Sequence, residues 1–232
     1  MERNSQDVLH SKRKLRKDIL NIRDNLSMEE REWYSRQIRE RVVCHASYRE
    51  AQVILAYASY LSEVDTMMLI EQALTDGKHV FVPKVAGADM EFWQITSTDD
   101  LHAGYRGIPE PVQGISFPEW MAGRAGSAKQ QMNIDRKTEQ DRIENKNKIM
   151  IMMWMPGAVF DRERHRIGYG KGFYDRYLSR LSDESRGELL QPEGFQLITA
   201  ALAYSCQVVR QIPYEPHDIK PDMVVTEKEI FR

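Results

Sequence analysis

The chain has 232 residues and sets 33 Lys and Arg against 35 Asp and Glu, a formal net charge of -2. That length suits one large domain or two small ones, and the balanced charge excludes a surface built as a whole to attract nucleic acid or anionic lipid. With 41% hydrophobic residues and 4 Trp, 10 Tyr and 7 Phe, the chain can bury a full core, which excludes wholesale disorder.

Leu15, Ile19, Ile22 and Leu26 recur at helical spacing and predict one apolar face. Ser27 and Glu30 form a capping-box pattern, and Tyr34, Ile38 and Val42 stripe a second helix, joined to the first at Asn25–Met28. Val53–Ala58 then reads as a strand. A helix follows from Asp65 or Thr66 through Leu74, with Gly77 as its C-terminal stop, and then a strand His79–Val82 closed by Pro83. Strand, helix, strand with short links is a βαβ unit, and its unalternating apolar runs suit a sheet covered on both faces. Glu91–Ile95 is an expected edge strand. Residues 123–148 are polar and predict an exposed insertion, disordered or loosely helical. Ile149–Met155 reads as a buried strand and Phe173–Leu181 as a helix. Leu197–Ala203 reads as a strand, Gln207–Ile212 as a short helix and Asp222–Thr226 as a last strand. The sum is an α/β fold: one domain over residues 1–232, its mainly parallel sheet flanked by helices and preceded by a helical pair.

The longest apolar run, Ile149–Met155, stops at Pro156 and falls far short of the ~20 residues a membrane span needs. The N-terminal segment has no apolar stretch of the secretory kind. Two cysteines, Cys44 and Cys206, make neither a disulfide framework nor a Cys-based zinc site. A soluble, cytoplasmic protein with reduced thiols is expected, acting without membrane or nucleic acid and as a monomer.

The most informative stretch is Pro156–Leu178, PGAVFDRERHRIGYGKGFYDRYL, where a phosphate-binding loop is expected rather than a flexible turn with solvated charges. Gly168, Gly170 and Gly172 alternate with Tyr169 and Lys171 ahead of a helix, so backbone amides can converge on an anion at a helix N-terminus. Arg166 and Lys171 add full charges, and the loop leaves a strand at its carboxyl end, where open α/β sheets bind ligands. It is neither a Walker loop nor a dinucleotide GxGxxG. Asp175 in the first helical turn is suited equally to capping amides and to holding Mg²⁺ beside a polyphosphate. Lys12–Lys17 holds five basic residues in six, with Lys12 and Arg16 on one helical face. As an isolated run it reads as a solvated helix end. Glu63, in the loop after the first strand, is either a helix-start charge or an acceptor for a ligand's amidine edge. Tyr105 offers a flat face in a turn-rich segment. The six histidines show no metal-binding spacing.

Taken together, KRKLR at Lys12–Arg16, LSEVDT at Leu61–Thr66, GIPEP at Gly107–Pro111, PGAVFD at Pro156–Asp161 and above all RIGYGKGFYDRYL at Arg166–Leu178 resemble the 5-formyltetrahydrofolate cyclo-ligase family. ALAYSCQ from Ala201 and the later PYEPHDIKPDMVVTE extend the resemblance over nearly the whole chain. It implies a Rossmann-like sheet and ATP-dependent closure of 5-formyltetrahydrofolate, with or without a polyglutamate tail, to 5,10-methenyltetrahydrofolate, releasing ADP and phosphate. It also implies roles for particular residues. Lys12, Arg16, Arg166, Gly168, Gly170, Lys171, Gly172 and Tyr174 would hold ATP, with Lys171 and Arg166 catalytic. Asp175 and Asp218 would hold Mg²⁺. Ala58, Glu63, Tyr105, Tyr169 and Phe173 would face the folate. A folate- or nucleotide-binding protein without turnover is the alternative, and ATP dependence separates the enzyme from isomerases or acyl-CoA transferases on similar sheets.

Overall fold

The computed structural model describes residues 2–132, 148–182, 195–215 and 218–232. Three helices open the chain: α1 (Glu2–Asp24), α2 (Met28–Cys44) and the short α3 (Ala46–Glu50). They are followed by β1 (Val53–Leu55), α4 (Met67–Thr75), β2 (His79–Ala86) and β3 (Asp89–Ile95). A hairpin of β4 (Leu101–Ala103) and β5 (Pro109–Pro111) leads to α5 (Phe117–Met132). The second half holds β6 (Ile149–Met155), β7 (Val159–Asp161), β8 (Arg166–Ile167), α6 (Phe173–Ser182), β9 (Phe195–Leu202), β10 (Val208–Val209), β11 (Met223–Val225) and β12 (Ile230–Phe231).

The main sheet runs β12-β11-β9-β6-β1-β2-β3; its five inner strands are parallel and its two edges antiparallel. Because strand side chains alternate, Val53, Leu55, Ile151, Met153 and Met155 pack beneath α5 and α6, while Ile54, Met152 and Trp154 pack beneath α2, α3 and α4. Each such fully buried aliphatic side chain contributes about 1.5–3 kcal/mol. From β1 the chain winds toward β2 and β3, but from β6 it winds the other way. The switch point therefore lies between β1 and β6, whose carboxyl ends open side by side.

Several sequence expectations meet a different outcome. Pro83 does not end β2. Phe81 accepts from Ala56 on the β1 side, so Pro83 two residues on also faces that side, where β1 has already ended and no donor is required. The segment expected as a helix at Gln207–Ile212 is instead one 3-10 turn, Ser205–Gln207, followed by β10, which pairs in parallel with β7. Helix α5 runs into the polar insertion as far as Met132, and residues 133–147 lie outside the described part. In α1, Ile22 is 49% exposed; the inward face presents Lys12, Leu15, Arg16, Ile19 and Arg23 instead. That helix covers the small sheet β10-β7-β8, with Ile19 against Ala158, Val159, Ile167 and Ile212. Its cations are thereby turned toward the switch point.

Candidate active site

Two loops leave the switch point. The first follows β1: Ala56, Tyr57 and Ala58 stay buried, and the chain turns at Leu61, which adopts φ +55°. Glu63 closes this turn by accepting from the Tyr60 amide at 3.0 Å. Thr66 fixes its exit, donating to the Tyr57 carbonyl at 2.6 Å and accepting from the Ser59 amide at 2.9 Å. The second loop follows β6, forms the β7–β8 hairpin and runs through Gly168–Gly172 into α6. Gly170 at φ +91° and Gly172 at φ +63° occupy backbone regions that favour glycine. The amides of Gly170, Lys171 and Gly172 have no protein acceptor among the described residues. Together with the start of α6 they form a row of free donors.

Cations from α1 and β8 gather around this loop. Arg16 Nε donates to the Gly168 carbonyl at 2.7 Å, and its guanidinium lies beside Gly170. Arg166 is 8% exposed; one terminal nitrogen donates to Asp175 Oδ1 at 2.7 Å, the other to the Pro156 carbonyl at 3.3 Å, and its Nε has no partner among the described residues. Tyr174 lies under that guanidinium, 5.9 Å from carbon to ring centre. The Lys12 ammonium is held by Asp218 Oδ2 at 2.5 Å and Glu215 Oε2 at 3.1 Å. Lys171 is exposed and its ammonium is unpaired among the described residues. Among the candidate ligands, then, Asp175 pairs with Arg166 and Asp218 with Lys12. The described residues contain no group of three or more His, Cys, Asp or Glu suited to a metal.

A second cluster sits at the other loop. Arg23 donates through Nη1 to the Tyr169 hydroxyl at 2.6 Å and through Nε to Ser62 Oγ at 2.9 Å, and the Ser62 hydroxyl donates to Asp24. Burial pushes the Glu63 carboxyl above its ordinary range, and the hydrogen bonds from Tyr169 and Tyr60 and the charge of Arg23 only moderate that rise. Tyr105 meets Phe173 edge to face at 6.3 Å, and the Tyr60 hydroxyl donates to the Arg106 carbonyl at 2.9 Å. Carboxylate and aromatic edges therefore line the side next to the cation-rich loop. Sequence reasoning missed Arg23, Ser62 and Glu215. For Arg23 a signal existed, because Lys12, Arg16 and Arg23 share one helical face. Nothing local marks Glu215.

A hollow of about 420 Å³ lies at the opposite, amino-terminal end of the strands, lined by Lys78, His79, Trp120 and Arg124 among others. Lys78 is already spent on the Ala51 carbonyl at 2.7 Å and on the Tyr48 ring, and none of the loop donors reaches this end. The chemistry belongs at the switch point.

An open sheet that aims unsatisfied amides and four cations at its switch point is the build of an α/β protein that handles phosphate groups. The chain belongs to the 5-formyltetrahydrofolate cyclo-ligase family, whose model matches residues 8–227. It is 28% identical to 5-formyltetrahydrofolate cyclo-ligase of Mus musculus, with 95% of each chain covered. The corresponding protein of Escherichia coli K12 is 24% identical, over 89% of this chain and 94% of the relative. Among solved structures, 5,10-methenyltetrahydrofolate synthetase of Aquifex aeolicus matches with a TM-score of 0.68 and 28% identity, over 95% of this chain and 92% of that one. The fold, a mostly parallel sheet flanked by helices, is shared with that solved structure. No helix of the described residues is long and apolar enough to cross a membrane.

Proposed function

We propose that the chain closes 5-formyltetrahydrofolate to 5,10-methenyltetrahydrofolate at the expense of ATP, releasing ADP and phosphate. The observation that carries this reading is the row of free amides at Gly170–Gly172, with Arg16 against the same loop, Arg166 on the strand before it, Lys171 within it, and Lys12 one turn from Arg16 on the same face of α1. A formamide carbonyl is a poor electrophile, so N10 does not displace its oxygen unaided. The formyl oxygen attacks the γ-phosphorus and the bond to ADP breaks. N10 then attacks the activated carbon and loses its proton, and the formyl oxygen departs in phosphate. Phosphoryl transfer depends chiefly on positioning and charge neutralisation, which cations and amides supply without a nucleophile.

In this reading Arg16 and the glycine loop seat the polyphosphate, Lys12 and Arg166 exchange their carboxylate partners for phosphate oxygens, and Lys171 approaches the transferring group. Tyr174 supports Arg166 from below. The carboxylates so released, Asp175 and Asp218, are hard oxygen donors of the number Mg²⁺ takes from a protein when phosphates complete its shell. Bound there, Mg²⁺ would neutralise the β- and γ-phosphates. Glu63 accepts from the pterin's amidine edge, and Ala58, Tyr105, Tyr169 and Phe173 enclose the folate, with or without a polyglutamate tail. We place the protein in the cytoplasm as a monomer of one domain, a setting consistent with the free thiols Cys44 and Cys206.

The deciding experiment mixes purified protein, 5-formyltetrahydrofolate and Mg²⁺ with and without ATP and follows the absorbance of the methenyl product. ATP-dependent product is expected. Folate binding by calorimetry without turnover would make the chain a binding protein instead.

A further inference from the structure

Close to the phosphate loop lies a buried polar pair that the reaction does not use. Asp161 and His165 are 1% and 2% exposed, on either side of the β7–β8 turn. The Asp161 carboxylate is saturated. Its Oδ1 accepts from the amides of Glu163 at 3.0 Å and His165 at 2.9 Å, and its Oδ2 from His165 Nδ1 at 2.9 Å and the Ile212 amide at 3.0 Å. A carboxylate only accepts, so the imidazole carries its hydrogen on Nδ1. The His165 ring then stacks on Tyr214, centres 3.9 Å apart and 15° from parallel.

These contacts join two segments that the ladders barely fix. β7 and β8 share only two paired positions, Val159↔Ile167 and Phe160↔Arg166, and β10 adds two more on β7. Ladders this short specify register weakly. Yet the residue after His165 is Arg166, and the residue after Tyr214 is Glu215, which with Asp218 seats Lys12. A slip of the turn would displace both cations.

We propose that Asp161 and His165 are positioning residues of the nucleotide site, holding Arg166 and the acidic seat of Lys12 at one fixed spacing. The proposal rests on the nucleotide site put forward above. The pair touches no substrate; it presets the distance between two cations, so that binding energy is not spent on arranging them.

The test measures affinity for a non-hydrolysable ATP analogue and for 5-formyltetrahydrofolate by calorimetry, with the melting temperature alongside. His165→Leu is expected to weaken the nucleotide about tenfold, the lower end of the loss that follows removal of the partner that orients a metal ligand, and to leave folate affinity within about twofold. His165→Asn, which restores an N–H two bonds from Cβ but not the stacking ring, should recover the nucleotide affinity to within about threefold of wild type; a merely structural role would weaken both ligands together with the melting temperature. Should His165→Leu not fold, Tyr214→Ala removes the stacking arm at a half-exposed position, and a loss of about threefold is expected. Unchanged nucleotide affinity in the folded variant, with Lys12→Ala impaired, overturns the positioning role. Unchanged affinity in Lys12→Ala itself instead overturns the nucleotide site, and the proposal with it.

Discussion

Glu63 shows how burial acts on a carboxyl that we propose meets the folate. Its carboxyl is held above its usual range chiefly by desolvation. Folding therefore adds protons at Glu63, so its contribution to stability is fullest below its unfolded value near 4.5 and falls as pH rises through its raised folded value. Glu63→Gln removes that dependence. The variant should melt higher relative to wild type at pH 8 than at pH 5, while binding folate about tenfold or more weakly, since hydrogen bonds to a charged group are the stronger kind. Equal melting differences at the two pH values would show that burial does not strain the carboxylate. Lys171 is the opposite case, exposed and unpaired among the described residues. Lys171→Ala should keep the melting temperature within about 2 °C, as surface substitutions do, yet lower kcat about 10³-fold, the lower end for a cation at a transferring phosphoryl group. Near-normal turnover would remove Lys171 from the mechanism. The glycine loop was legible because Gly alternates with Tyr and Lys between a strand end and a helix start, a pattern with a chemical meaning. The roles of Asp161 and His165 were not, because isolated polar residues read as solvated until tertiary structure buries them.

At the scale of the element, legibility followed the length of the periodic pattern. β6 was read at its observed limits because a central strand covered on both faces is a continuous apolar run. The short pairs β4–β5 and β7–β8, and the strands β10 and β12, have two or three residues each and show no period to read. The α1 face was misread for a different reason: Ile22 has the right spacing, but the helix covers a polar site and turns its cations inward. The start of α2 was read from its chemistry. Ser27 accepts from the Glu30 amide at 3.1 Å and the Glu30 side chain accepts from the Ser27 amide at 2.8 Å, the reciprocal bonds of a capping box. Those bonds are exposed and local. Ser27→Ala should cost about 1 kcal/mol, or roughly 2–4 °C in a chain of this size, with activity unchanged. A melting curve that superposes on wild type would mean that packing of Ile38 and Val42 alone defines the helix start.

At the scale of the whole molecule the organising element is α1, which is no part of the sheet yet reaches three of the segments that surround the switch point. Lys12 reaches Glu215 and Asp218 between β10 and β11, Arg16 reaches the glycine loop after β8, and Arg23 reaches Ser62 after β1 and Tyr169 in that same loop. That the sheet is mainly parallel was legible from the alternation of strands and helices, but its strand order and switch point were not, because they depend on which strands pair. Nor was the strapping of α1 across them, since helical spacing says which residues share a face but not what that face meets. This arrangement couples nucleotide to global stability. If Lys12 and Arg16 hold the polyphosphate, ATP binds only where α1 is docked, and a ligand at 100 times its Kd stabilises the folded chain by about 2.7 kcal/mol, or roughly 5–10 °C. The double variant Lys12→Ala/Arg16→Ala loses both phosphate contacts while Ile19 still anchors the helix on Ala158, Val159 and Ile167. It should remain folded and show an ATP-induced rise below about 2 °C at the same nucleotide concentration, since little stabilisation is expected once affinity falls a hundredfold. A rise equal to that of wild type would mean that the nucleotide is held by the glycine loop and α6 alone, with α1 a structural brace rather than a wall of the site.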